Sequence, residues 1–136
     1  MIKAKAKWLE DFRQVVTNER GHEVVCDETV TGGGGDVGPT PLELAVMALT
    51  GCAVRIFADV CMQSRIKLNK LEVAAEAEKQ PGSARLSEVN LKVTVSADAR
   101  EQLLEAAWRR TEANCPVLLI YQKNVPVGVD FKVVSG

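Results

Sequence analysis

The chain carries almost no net charge: 17 basic residues stand against 18 acidic ones over 136 residues, a formal charge of −1. That balance excludes the strong basic field by which a protein gathers nucleic acid or an anionic membrane surface, so neither is expected as a partner. Histidine is nearly absent, His22 being the only one, and the four cysteines, Cys26, Cys52, Cys61 and Cys115, contain no CxxC pair. A structural zinc site needs clustered thiols and imidazoles, so no metal is expected, and no cofactor. The opening MIKAKAKWLE is basic but lacks the apolar core and small-residue cleavage site of a secretory signal. The longest uncharged run, Leu44 to Val54, falls short of the roughly 20 residues that a bilayer span needs. The expectation is a cytoplasmic protein without a membrane segment. In that compartment a static disulfide framework is disfavoured, which leaves the thiols for burial or for transient redox work.

What is present reads as a single domain over residues 1–136, a length sufficient for a core without staples. IKAKAKW alternates apolar and lysine side chains, the period of a strand with one wet face, and RQVVTN and HEVVCDE flank Glu19-Arg20-Gly21 as a hairpin that continues the sheet. The stretch TGGGGDVGP is too rich in glycine for regular structure and is expected to be a mobile loop. It lacks the GK[ST] ending of a P-loop and the spacing of a dinucleotide fingerprint, so phosphate binding is not its reading. LEVAAEAEK and SEVNLKVTV alternate around a Pro81-Gly82 turn and predict a second hairpin. Ser96 is expected to cap a helix over ADAREQLLEAAWRRTEA, with acids early and Arg109 and Arg110 late. Pro116 opens a short helix, and VGVDFKVV closes the chain as a strand. The order predicts an α+β domain with antiparallel sheet packed against helices.

The long helix beginning at Thr40 carries the chemical interest. Thr40 suits the N-cap, Pro41 the first helical position, and Glu43 completes a capping box. From Leu44 to Met62 apolar side chains cover nearly all faces, which calls for a partner subunit on the side its own sheet leaves open. Cys52, Arg55 and Asp59 share a face, so a guanidinium one turn from the thiol could favour its thiolate, although burial of the thiol and an i,i+4 ion pair explain the same residues. Cys61 points the opposite way and reads as packing, as does Cys26 within a strand. Cys115 before Pro116 falls at an N-cap, where amides and the helix dipole would stabilise a thiolate; capping and nucleophilic work both remain open there.

A helix entered from a glycine-rich loop as PTPLELAVMALTGC, with NCPV further along, resembles the OsmC/Ohr family of osmotically induced and organic hydroperoxide resistance proteins. The similarity covers essentially the whole chain, and the wording of GHEVVCDE and GPTPLELAVMALTGC is most like a small OsmC-like branch that lacks much of the usual peroxidase signature. The resemblance implies an intertwined homodimer with long central helices wrapped by both sheets. It implies a thiol peroxidase in which Cys52 attacks an organic hydroperoxide or peroxide and Cys115 resolves the sulfenic acid to a disulfide, reopened by a dithiol reductant. Family peroxidases carry Pro-Glu at the helix start, with the glutamate held by an arginine from an early loop; here the aligned residue is Leu42 and the acid moves to Glu43. Leu42 lies about 80° around the axis from Cys52 and Glu43 about 180°. Glu43 therefore points away, which favours the capping role, but it remains a candidate catalytic residue; Arg13 is the arginine in the right region, and Arg55 is a substitute cation for the thiolate. The competing expectation is a noncatalytic dimer that keeps the fold and binds an apolar small molecule or a partner.

Overall fold

The computed structural model describes residues 1–136, arranged as two compact units, Met1–Ala45 and Val46–Gly136. In the first unit, β1 (Lys5–Glu10), β2 (Arg13–Thr17) and β3 (Glu23–Cys26) form an antiparallel sheet in the order β1-β2-β3. Lys5 pairs with Thr17 and Lys7 with Val15, with a register shift between Trp8 and Glu10, and Gln14 lies opposite Cys26. The β2–β3 hairpin turns through Glu19 and Gly21, both at positive φ. Only Cys26 and Asp27 are buried in this unit.

The glycine segment after β3 is cross-tied rather than slack. The buried Asp27 carboxylate accepts hydrogen bonds from the backbone N–H groups of Glu28 (2.8 Å), Gly35 (3.0 Å) and Val37 (3.3 Å). Two of the glycines are required by close approach: a Cβ on Gly34 would collide with the Glu28 backbone, and one on Gly38 with the Val25 carbonyl. The loop expected here is observed, without helix or strand, as a set of hydrogen-bonded turns. Composition marks the absence of helix and strand there, but an acidic hub three-dimensionally inside the loop leaves no periodic trace.

The second unit holds the core. α1 (Pro41–Gln63) runs across the division between the units; β4 (Leu68–Lys79), β5 (Leu86–Ala97) and β6 (Val127–Val133) make the second sheet, with α2 (Glu101–Asn114) and α3 (Pro116–Gln122) between β5 and β6. On β5 the alternate residues Val89, Leu91, Val93 and Val95 are buried. They join Leu49, Ala53, Phe57 and Val60 of α1 and Leu104, Ala107 and Trp108 of α2 in one cluster. Phe57, Trp108 and Phe131 pack ring on ring with centroids 6.0–6.2 Å apart. By length and composition α1 could cross a membrane; its stripe of buried residues instead seats it in this core.

The element order and the α+β class agree with the sequence reading, and two details differ. The β4–β5 pair is antiparallel, but β5 and β6 are parallel. The α2–α3 connection carries the chain back to the start of β5 before β6 begins, and a crossover of that kind yields a parallel neighbour where a tight hairpin yields an antiparallel one. Ser96 does not cap α2. It is a buried strand residue opposite Lys70, and α2 starts after Arg100 with no side-chain cap.

Candidate functional site

Cys52 lies midway along α1, and Cys115 lies at the elbow between α2 and α3. Proline at position 116 drives the residue before it out of the helical region, and Cys115 is accordingly extended at φ −83° and ψ 107°. Its backbone nevertheless serves both helices: its N–H donates to the Thr111 carbonyl at 2.8 Å, closing α2, and its carbonyl accepts from Leu119 N–H at 3.0 Å, opening α3. The Cys-Pro dipeptide thereby fixes a thiol at a rigid corner. From there the Cys115 Sγ–H donates to Cys52 Sγ at 3.2 Å. Neither sulfur is in a disulfide. A bond between them needs an S–S separation of about 2.05 Å, so a closure on the order of 1 Å joins them.

The two thiols are unequally placed. Cys115 is fully buried, whereas Cys52 is only partly so. Burial pushes the Cys115 thiol up to about 11; the Leu118 amide opposes this, the hydrogen bond to Cys52 and the charge of that sulfur add to it, and the Val117 amide opposes it again. Cys115 is the N-cap of α3, as its place before Pro116 predicts, but burial works against the thiolate stabilisation expected there. Its side chain makes no capping hydrogen bond, and loss of water outweighs the pull of two amides. Cys61 is fully buried and raised to about 11 by desolvation. Cys26 is fully buried as well.

The other nominated residues are engaged elsewhere. Arg55 is exposed and directed to Asp59, 3.9 Å away, and Gln63 Nε2 donates to the same carboxylate at 3.0 Å. Glu43 and Thr40 form a reciprocal capping box: Thr40 N–H donates to Glu43 Oε1 at 2.9 Å and Glu43 N–H to Thr40 Oγ1 at 3.1 Å. Arg13 reaches Glu10 Oε1 at 3.2 Å and Asp27 Oδ2 at 3.4 Å. It borders a cavity of about 270 Å³ with Asp27 and Gly33, Gly34 and Gly35. Asp27 has its pKa lowered, first by the Glu28 amide, against desolvation, and then by the Val37 and Gly35 amides and the Arg13 charge. The sequence reading passes over Asp27. The available signal was an acid at the end of a strand leading into a glycine run, the setting of side-chain-to-backbone turns.

Residues 32–130 match the family described as OsmC-like protein. The chain belongs to that family. It is 27% identical over 141 residues to Protein YhfA of Escherichia coli (strain K12), spanning 99% of this chain and 100% of that one. An OsmC-like protein from Mycoplasma pneumoniae superposes with a TM-score of 0.87 at 17% identity, over 98% of this chain and 97% of that one. An organic hydroperoxide resistance protein from Elizabethkingia anophelis superposes with a TM-score of 0.76 at 18% identity, over 100% and 96%. At such identities the OsmC-like fold is shared, and the chemistry has to be argued from this chain's own residues.

Proposed function

We propose that this OsmC-like chain, one domain over residues 1–136, is a thiol peroxidase for organic hydroperoxides or peroxide, and that Cys52 and Cys115 are its reacting pair. The observation that carries the reading is the 3.2 Å approach of the two sulfurs, with the partly accessible one in the middle of α1 and the sealed one at the Cys-Pro elbow. The Cys52 thiolate attacks the distal peroxide oxygen; the O–O bond breaks, the alkoxide takes a proton and leaves as alcohol, and Cys52 becomes a sulfenic acid. Cys115 then attacks the Cys52 sulfur; its proton leaves with the sulfenic hydroxyl as water, and the disulfide forms. A dithiol reductant returns both thiols and is itself oxidised to a disulfide. The Cys115 proton departs in the product water, so the resolving step balances from the neutral thiol.

Glu43 serves this scheme as the helix cap and not as a catalytic acid. Arg55 and Arg13 serve as ion-pair partners of Asp59 and of Asp27 with Glu10. The working unit is a homodimer: Met47 and Met62 on α1 are exposed in the single chain, and covering such a helix is what the family's paired arrangement does. A reducing, cytoplasmic setting suits a pair that cycles between thiols and a disulfide.

Titration of the thiols with cumene hydroperoxide tests the reaction. Wild type should lose two thiols per chain, Cys115→Ser should stop at a dimedone-reactive Cys52 sulfenic acid, and Cys52→Ser should lose none. Wild type that stays fully reduced under excess hydroperoxide would sink the proposal. The second reading, a noncatalytic dimer that binds an apolar small molecule or a partner, is favoured by the engagement of Glu43 and Arg55 away from the thiols, and that same null titration is its expected result.

A further inference from the structure

Cys52 makes one side-chain hydrogen bond in the structure, and its partner is the Cys115 thiol. The groups that would ordinarily assist a thiolate are occupied: the Glu43 carboxylate closes the capping box and the Arg55 guanidinium is turned toward Asp59. Building on the peroxidase reading of this pair, we infer that Cys115 has a second role before it resolves: its S–H is the donor that holds Cys52 as the attacking thiolate.

The geometry makes this donor dependable. The elbow backbone is pinned at both ends by the hydrogen bonds to Thr111 and from Leu119, so the thiol approaches Cys52 from a fixed corner. Cys115 is fully buried, and water does not compete for its proton. A donor to an ionised acceptor is roughly twice as strong as a neutral one, and low local polarity strengthens it further. The role also requires that Cys115 keep its proton while Cys52 is charged. Burial together with the hydrogen bond to Cys52 and its charge favours this against the Leu118 and Val117 amides, and Cys115 is raised to about 11. Activation and resolution then share one atom. While Cys52 is reduced, the Cys115 proton stabilises it; once Cys52 carries hydroxyl, the same proton is directed toward the leaving oxygen.

Alkylation of Cys52 by iodoacetamide, followed by peptide mass spectrometry at pH 7 and pH 10, tests the role without any peroxide. Cys115→Ser keeps an O–H donor and should follow wild type within about threefold at both pH values. Cys115→Ala removes the donor. A hydrogen bond to a charged group is worth about tenfold in thiolate fraction, and the more basic sulfur regains about threefold in nucleophilicity. The alanine variant should therefore alkylate about threefold more slowly at pH 7 and up to about threefold faster at pH 10, where thiolate is no longer limiting. A side chain that merely fills space predicts faster alkylation at both pH values, because alanine opens access; that result would overturn the donor role. Protection of Cys26 and Cys61 from the reagent verifies that the variants are folded. Wild type that ignores cumene hydroperoxide while the variants show the pH crossover defeats the peroxidase reading and leaves the donor role standing; oxidation of wild type without the crossover does the reverse.

Discussion

The two compact units of this chain are held by different means. Every residue of the buried apolar cluster, from Leu49 to Val125, falls in Val46–Gly136. Met1–Ala45 buries only Cys26 and Asp27 and leaves Trp8, Phe12, Val30 and Val37 more than half exposed. The larger unit is a packed core that brings two cysteine sulfurs to 3.2 Å. The smaller is a sheet and a loop secured by backbone pairing and one buried carboxylate. The placement of the sulfurs comes from packing, because Cys115 belongs to the core cluster and Cys52 packs against it.

Removing function from the larger unit should give the largest effect. Cys52→Ser should abolish hydroperoxide turnover, a loss of at least about a thousandfold against wild type in a coupled dithiol assay, with the folded state retained. Next comes the packing that supports the site. Phe57 is fully buried against both Trp108 and Phe131, and Phe57→Ala should cost about 3–5 kcal/mol in urea unfolding. A comparable truncation in the smaller unit, Val15→Ala, removes a half-buried side chain and should cost about 1 kcal/mol or less. Equal costs would break the contrast between the units.

Where periodicity carried the information, the fold was legible in the sequence. The alternation of Val89, Leu91, Val93 and Val95 announced β5 and its buried face, and Thr40-Pro41 with Glu43 announced the start of α1. The elbow was legible too, because a residue before proline leaves the helix. The parallel placement of β6 was not, since a strand's own residues do not record which way its neighbour runs. Nor was the Asp27 hub, whose partners Gly35 and Val37 donate through backbone amides that no side chain advertises. The N-cap place of Cys115 was legible as well, but the burial that works against its amides was not, because that burial comes from tertiary packing.

Alkali offers a smaller effect, confined to the larger unit. The folded-state pKa of Cys61 is raised from an ordinary 9.0 to about 11 by burial, so the folded state retains a proton that the unfolded chain releases. The stabilisation is fully present below the unfolded pKa and is lost as pH rises through the folded value. Reduced wild type should therefore lose stability between about pH 9 and about pH 11, with Cys61 contributing at most about 2 kcal/mol. Cys61→Ala lowers stability at every pH through its cavity but should flatten the slope in that window. An unchanged slope would remove Cys61 from the account.

In the smaller unit, Asp27→Ala deprives the loop of its acceptor, and exchange of the Gly35 and Val37 amides should quicken by about tenfold while β5 amides hold. The sign with pH follows from the lowered Asp27 pKa: protection is present above the ordinary value of 3.8 and is lost as pH falls through the folded one. The smallest effect lies at the helix start. Thr40→Ala removes one half of the capping box and should cost about 1 kcal/mol. Glu43→Gln keeps an oxygen for the Thr40 amide, so stability should change by less than that and turnover by less than about twofold. If turnover instead fell a hundredfold with stability preserved, Glu43 would be acting on the chemistry across the helix, and a residue assigned to the frame would have to be moved to the site.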